Sequence, residues 1–295
     1  MSRTPVTVIG LGPMGRAMAG AFLDAGHPTT VFNRTPGKND DLVRTGARRA
    51  DSAAGAIAAA DLVVLSLTHY EAMYELLGSA TRELAGKTLV NLSSDAPSEA
   101  ERAAAWAAEH GADLVAGGIM VPAALVATPE AYAFYSGPAA VVERHRTTLE
   151  VLSRVDYRGE QPGLALLWYQ ALLDLFMTTL ASIQHASALV GSADVPAETF
   201  LPYASGLMSQ LPYFMEGMAE EIDGRAYPDK GASLAMMSAG IDHIVHASED
   251  AGIDPGLPGA VRDLYRRAIA DGRREQSSTS IIEMIKNPEG KERAA

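Results

Sequence analysis

The chain has 295 residues, enough for a large core and for two domains rather than one. Its 47% hydrophobic and 20% charged residues suit a soluble globular protein, and a net charge of −12 argues against nucleic acid, whose phosphates demand a basic footprint. There is no cysteine, which excludes disulfides, thiolate metal sites and a cysteine nucleophile. The acidity suits solubility and an attraction for cationic substrates equally well.

Residues 1–10 carry one arginine and a short apolar run broken by glycine, less than a secretory signal needs, so a cytoplasmic location is expected. Short apolar runs predict strands over residues 6–9, 29–32, 62–67 and 88–92, and near 114–116 and 131–135. Helical periods fill the intervals, at 14–24, 52–59, 71–77 and 98–109, and a helix over 139–152 closes this part. The alternation indicates parallel βαβ units, hence an α/β domain of the Rossmann type over residues 1–160.

Turn residues at 159–162 mark the boundary, and strand patterns end there. A long helix is predicted from 162 to about 191, then helices over 197–213, 214–222, 232–251 and 258–270. Ser280 and Glu283 have the spacing of a capping box for a last short helix. Residues 164–183 match a membrane span in length, but Gln170, Asp174 and two threonines favour a buried helix, and no membrane partner is expected. An apolar surface nearly all round implies burial against more than one neighbour, so residues 161–295 are expected to form an interdomain helix plus an all-α dimerisation domain.

The first predicted strand runs into Gly10-Leu11-Gly12-Pro13-Met14-Gly15. The first glycine permits a tight turn, the second lets backbone approach a pyrophosphate, and the third allows close helix–strand packing. The helix N terminus that follows offers unpaired N–H groups to phosphate. The second strand ends at Asn33, where an acid gripping ribose hydroxyls would otherwise stand. Without that acid a 2′-phosphate is not repelled; Arg34 can pair with it, Asn33 and Thr35 can donate hydrogen bonds, and Lys38 adds charge nearby. NADP(H) is therefore expected over NAD. Ligands of such sheets bind beyond the carboxyl ends of the strands, which adds Leu67, Thr68, Asn91 and Ser93 to the cofactor residues and puts Ser94 and Ile119 toward substrate.

The GLGPMG turn, the NRTPGK segment, the NLSSDAP and AGGIMVP stretches and a long helix led by Gly163 together resemble the 3-hydroxyisobutyrate dehydrogenase superfamily. Within it the chain is most similar to the imine reductases, over nearly its whole length. The resemblance implies a Rossmann domain, a long interdomain helix and a helical domain that intertwines in a homodimer. It also implies an active site between one subunit's nucleotide domain and the other's helical domain. The hydroxyacid branch carries a lysine four residues after the helix-opening glycine and an asparagine three residues later; here those positions hold Leu167 and Gln170. No lysine occurs between Lys87 and Lys230, so carbonyl reduction by that mechanism is disfavoured.

Imine reductases place an aspartate or a tyrosine six residues after this glycine, which implies a catalytic role for Tyr169. A neutral phenol can donate a hydrogen bond or a proton without burying a charge, or only anchor the amine of an iminium that arrives protonated. As a residue on its own, Tyr169 equally suits an apolar core. Helical spacing puts Leu173, Phe176 and Met177 on its face, and Met208, Tyr213 and Met237 are expected to line the pocket from a partner subunit. No metal site is expected: His243 and His246 share a helix face without further ligands, and Glu220, Glu221 and Asp223 suit exposed surface. The expected activity is hydride transfer from NADPH to a cyclic imine or iminium, giving a chiral amine. The alternatives are a 3-hydroxyacid or semialdehyde dehydrogenase with an altered catalytic residue, and a non-catalytic NADPH-binding protein.

Overall fold

A computed structural model describes residues 3–35, 37, 40–229, 231 and 233–288. Its strands are β1 (Val6–Ile9), β2 (Thr29–Phe32), β3 (Arg48–Arg49), β4 (Leu62–Leu65), β5 (Thr88–Asn91), β6 (Asp113–Ile119), β7 (Tyr132–Ser136) and β8 (Arg154–Gly159). They form one sheet in the order β3-β2-β1-β4-β5-β6-β7-β8. Neighbours run parallel except β6 and β7, which are antiparallel. Every residue of β1, β4 and β5 is buried, as expected of parallel strands covered on both faces.

The helices that cover the sheet are α1 (Pro13–Asp24), α2 (Asp40–Arg44), α3 (Ala53–Ala58), α4 (Tyr70–Leu77), α5 (Pro97–Glu109) and α6 (Ala139–Leu149). Met18 and Phe22 of α1 and Val141 and Leu149 of α6 pack in one core with Val8 and Val64. Ile57 of α3, Met73 and Leu77 of α4 and Ala103 of α5 pack in a second core with Ile9 and Leu65. Val8 and Ile9 are adjacent in a strand and so point to opposite faces, which makes the two cores the two sides of the sheet.

The remaining helices are α7 (Leu164–Gly191), α8 (Ala197–Met208), α9 (Leu211–Phe214), α10 (Met218–Gly224), α11 (Leu234–Asp250), α12 (Gly256–Ala268) and α13 (Ile282–Lys286). The chain divides into two compact units, Met1–Leu175 and Phe176–Ala295, so the first turns of α7 belong with the sheet. The helical unit has a small core of its own, in which Leu234, Tyr265 and Ala268 are buried and Met237, Ile241 and Val261 pack against them.

Several elements depart from the sequence expectations. The first domain does not close at residue 152: α6 ends at Leu149 and β8 follows, its charged residues having hidden a strand in which Val155 is buried. The helix expected over 197–213 breaks after Met208, and Pro212, which has no N–H to give, stands in the first turn of α9. The capping box does not form. Ser280 lies buried inside a 3₁₀ turn, and Glu283 accepts the Tyr227 hydroxyl at 2.6 Å. Glu221 is buried, not exposed.

α7 spans Leu164–Gly191, close to the predicted 162 to about 191. Among the described residues it is the one helix long and apolar enough to cross a membrane by length and composition. In the single chain, however, only Ala165 and Leu166 of it are buried, and Leu175, Phe176 and Met177 are each more than half exposed. Among the described residues little covers that apolar surface, so the expected burial against more than one neighbour is not reached within the single chain.

Candidate functional site

β1 ends in a turn that only glycine can make. Gly10 has φ +93°, and a side chain there would run into the carbonyl of Ser66, just past β4. A Cβ on Gly15 would strike the Gly10 carbonyl, so the third glycine lets α1 start against the strand end. Gly12 differs: its φ is −67°, and a Cβ there would meet nothing within 4 Å. The space in front of it is free for a ligand. Among the described residues no side chain caps the N terminus of α1, whose first turn carries Pro13, so that end keeps donors for an anion.

The neighbouring loops are braced. Asn33 accepts a hydrogen bond from Leu11 N at 2.9 Å and donates to Thr35 O at 3.0 Å, tying the glycine turn to the end of β2. Arg34 reaches outward, with Nη1 3.4 Å from Glu75 Oε2 on α4. Ser93 Oγ accepts from Leu67 N at 2.9 Å, and Ser93 N donates to Asn91 Oδ1 at 3.0 Å. Asn91 Nδ2 points at Met73 Sδ, 3.5 Å away.

These loops surround a cavity of about 540 Å³ at the β1–β4 switch point. Of the residues singled out from sequence, Gly10, Leu11, Gly12, Pro13, Met14, Asn33, Arg34, Thr35, Leu67, Thr68, Ser94, Ile119 and Tyr169 line it. Asn91 and Ser93 do not: both are buried, and their polar groups hold the loops that do. Gly15 is likewise buried beneath the turn. Lys38 lies outside the described residues. Ile9, Ser66, Ala72 and Leu76 line the cavity beyond the expected residues, and Leu92 does so from within the expected loop after β5; the start of the loop after β4 and one face of α4 carry the signal for the others.

Tyr169 sits against β6. A Cβ on Gly118 would lie 2.5 Å from its Cδ2, so the ring packs directly on the strand backbone. The adjacent Gln170 donates from Nε2 to Asp95 O at 2.9 Å and to Ser94 Oγ at 3.2 Å, fixing the start of α7 to the loop after β5. Asp95 is itself held, accepting from Tyr70 N and Ala96 N. Leu167, at the position where the hydroxyacid branch carries lysine, is 54% exposed. Leu173, Phe176, Met177, Met208 and Tyr213 are not in the cavity lining, and Tyr213 is among the most exposed aromatics. Met237 packs on the core of the helical unit, the plainer reading of a methionine on a helix.

The strand order, the glycine turn at the switch point and the cavity over it define a dinucleotide-binding α/β protein. Comparison with known proteins narrows the class. A family model described as the NAD binding domain of 6-phosphogluconate dehydrogenase matches residues 5–159. A second, the NADPH-dependent reductive aminase-like C-terminal domain, matches residues 161–287. An NADPH-dependent reductive aminase of Aspergillus oryzae is 30% identical over 285 residues, covering 95% of this chain and 97% of the relative. The solved structure of an imine reductase from Bacillus cereus is 48% identical, with a TM-score of 0.88 over 97% of this chain and 100% of the other. A reductive aminase from Aspergillus terreus, in complex with NADPH4, cyclohexanone and allyl amine, is 33% identical, with a TM-score of 0.91 over 96% and 100%. The chain belongs to the imine reductase and reductive aminase family, within the 3-hydroxyisobutyrate dehydrogenase-like superfamily.

Proposed function

We propose that this protein is an NADPH-dependent imine reductase: hydride passes to the carbon of an imine or iminium and an amine is released. The observation that carries the reading is Tyr169 in the lining of the cavity above the glycine turn, in a chain with no lysine at the Leu167 position. The likeness to an imine reductase over the whole chain supports it. The residues present fit the cofactor. The open space at Gly12 and the uncapped α1 suit a pyrophosphate, and Arg34 on the cavity rim suits a 2′-phosphate. Bound NADPH supplies the hydride.

The chain's own residues do the rest. Asn33 holds the glycine turn in the conformation that meets the pyrophosphate, and the Ser93 and Asn91 braces keep the two central loops from collapsing into the cavity. Tyr169 presents a hydroxyl to the nitrogen of the substrate. For a neutral imine it donates the proton that the nitrogen needs as the carbon takes hydride; for an iminium it anchors the ligand and no proton is required. The absence of a lysine beside it withholds the ammonium that would stabilise a developing alkoxide, which favours C=N over C=O. The reductive aminases among the relatives extend the substrate class to a ketone and an amine condensed in the site.

The two domains, residues 1–160 for nucleotide and 161–295 for dimerisation and substrate, work as a homodimer in this reading. A second copy covers the exposed apolar surface of α7, because Gln170 and Asp174 in its first half disfavour a bilayer. Leu173, Phe176, Met177, Met208 and Tyr213 then meet substrate or the partner only in the assembled protein. Light scattering should give twice the chain mass. The activity itself is tested by adding cyclic imines, such as a pyrroline or a dihydroisoquinoline, and following NADPH absorbance. Consumption supports the proposal, and no turnover across a broad imine panel overturns it.

A further inference from the structure

Arg34 does not stand alone at the cavity rim. Its Nη1 lies 3.4 Å from Glu75 Oε2, with 79% of the arginine and 56% of the glutamate side chain exposed. Glu75 is on α4, the helix whose Ala72 and Leu76 line the same cavity as Arg34. The glutamate is therefore fixed by its helix beside the place where Arg34 would meet a ligand.

We infer that Glu75 is a specificity-determining residue that competes with the 2′-phosphate of NADPH for Arg34. This rests on the reading of Arg34 as the 2′-phosphate partner. A phosphate monoester carries nearly two negative charges at neutral pH. Bringing it to Arg34 either displaces the Glu75 carboxylate or sets two anions against one guanidinium. In both cases Glu75 weakens the grip on NADPH. NADH has only a hydroxyl at that carbon and neither displaces nor repels the glutamate. Glu75 thus trims the preference for NADPH over NADH without touching the reacting end of the cofactor, and it eases release of the oxidised form.

The test is a titration of the full-length protein with NADPH and with NADH, followed by cofactor fluorescence. It uses the parent, Glu75→Gln, Arg34→Ala and the double variant. Glu75→Gln should tighten NADPH about threefold at low ionic strength, the scale of an exposed ion pair, while NADH shifts by less. The gain should shrink as salt is added and vanish in the Arg34→Ala background. Unchanged or weaker NADPH binding in Glu75→Gln overturns the inference, as does an equal gain for NADH. If Arg34→Ala leaves NADPH affinity intact, the reading of Arg34 fails and the inference falls with it. Both glutamate and arginine are exposed, so none of these variants threatens the fold.

Discussion

Gly118 and Tyr169 are in direct contact: the tyrosine ring lies on the strand backbone where any side chain at residue 118 would have to go. The glycine is thus what lets the phenol sit in the cavity lining. Gly118→Ala would put a methyl carbon 2.5 Å from Tyr169 Cδ2 and push the ring away. Imine turnover should drop by about 10- to 100-fold, the scale of a misplaced reacting group, while NADPH affinity stays within about twofold. Steady-state rates and a cofactor titration on the same sample separate the two. An unchanged rate would mean that the ring's position does not matter.

Tyr169→Phe removes the hydroxyl and keeps the ring on Gly118. Its expected effect is a loss of about 100-fold in kcat on neutral imines, with cofactor binding retained. On a substrate that is permanently an iminium, the loss should be smaller if the hydroxyl serves as proton donor. Equal losses on both substrates would assign the hydroxyl to anchoring. In the Gly118→Ala background the same substitution should cost little more, because both act through one side chain.

The glycines of the turn should separate cleanly into ligand and fold effects. Gly12 has ordinary backbone angles and open space before it, so Gly12→Ala should leave stability within about 1 kcal/mol. Its methyl fills the ground assigned to the pyrophosphate, and NADPH binding should weaken more than about tenfold. Gly10→Ala, with φ +93° and a backbone carbonyl in the way, should instead lower stability by more than about 2 kcal/mol. Urea melts and cofactor titrations of the two variants should show opposite patterns.

Stability should fall on mild acidification through His145. It is buried on α6 beside the start of β5, with its Nε2 3.2 Å from Thr88 Oγ1. Burial, with Arg144 beside it, holds its pKa below the ordinary histidine value; the nearby Asp113 and Asp61 oppose this. The unfolded chain therefore takes up a proton that the folded one refuses. The contribution is fully present above the ordinary histidine pKa of 6.5 and is lost as pH falls from there toward the depressed value. Urea midpoints measured near ~7.5 and ~5.5 bracket that pKa, and His145→Gln should flatten the difference between them. Equal slopes for parent and variant would remove His145 from the explanation.

What could be read from the sequence divides along physical lines. Buried parallel strands write themselves as apolar runs, so β1, β2, β4 and β5 were visible, and with them the glycine turn that they position. β8 was not, because Arg154, Asp156 and Arg158 on one side of an edge strand mask the alternation of Val155 and Tyr157. Helix breaks depend on competition between neighbours, so the stop between Met208 and Leu211 was lost inside a longer apolar period.

The site shows the same division. Residues whose type is dictated by backbone geometry, such as Gly10 and Gly15, announce themselves. Residues that act through a partner distant in sequence do not. Nothing near Asn33 reveals that it accepts from Leu11, nor does the neighbourhood of Gln170 point to Asp95. The pairing of Arg34 with Glu75, 41 positions apart, is of the same kind. The exposed face of α7 is legible only in part: apolar composition says that a surface needs cover, but not whether its own chain provides it.

The most direct measurement follows the hydride itself. NADPH deuterated at the transferable position of the nicotinamide is incubated with the protein and a cyclic imine, and the amine is examined by mass spectrometry and NMR. One deuterium on the carbon that had been doubly bonded to nitrogen, absent when Tyr169 and Gly12 are both substituted, is the expected result. An amine without deuterium at that carbon, or no amine while NADPH is bound, would contradict imine reduction at this site.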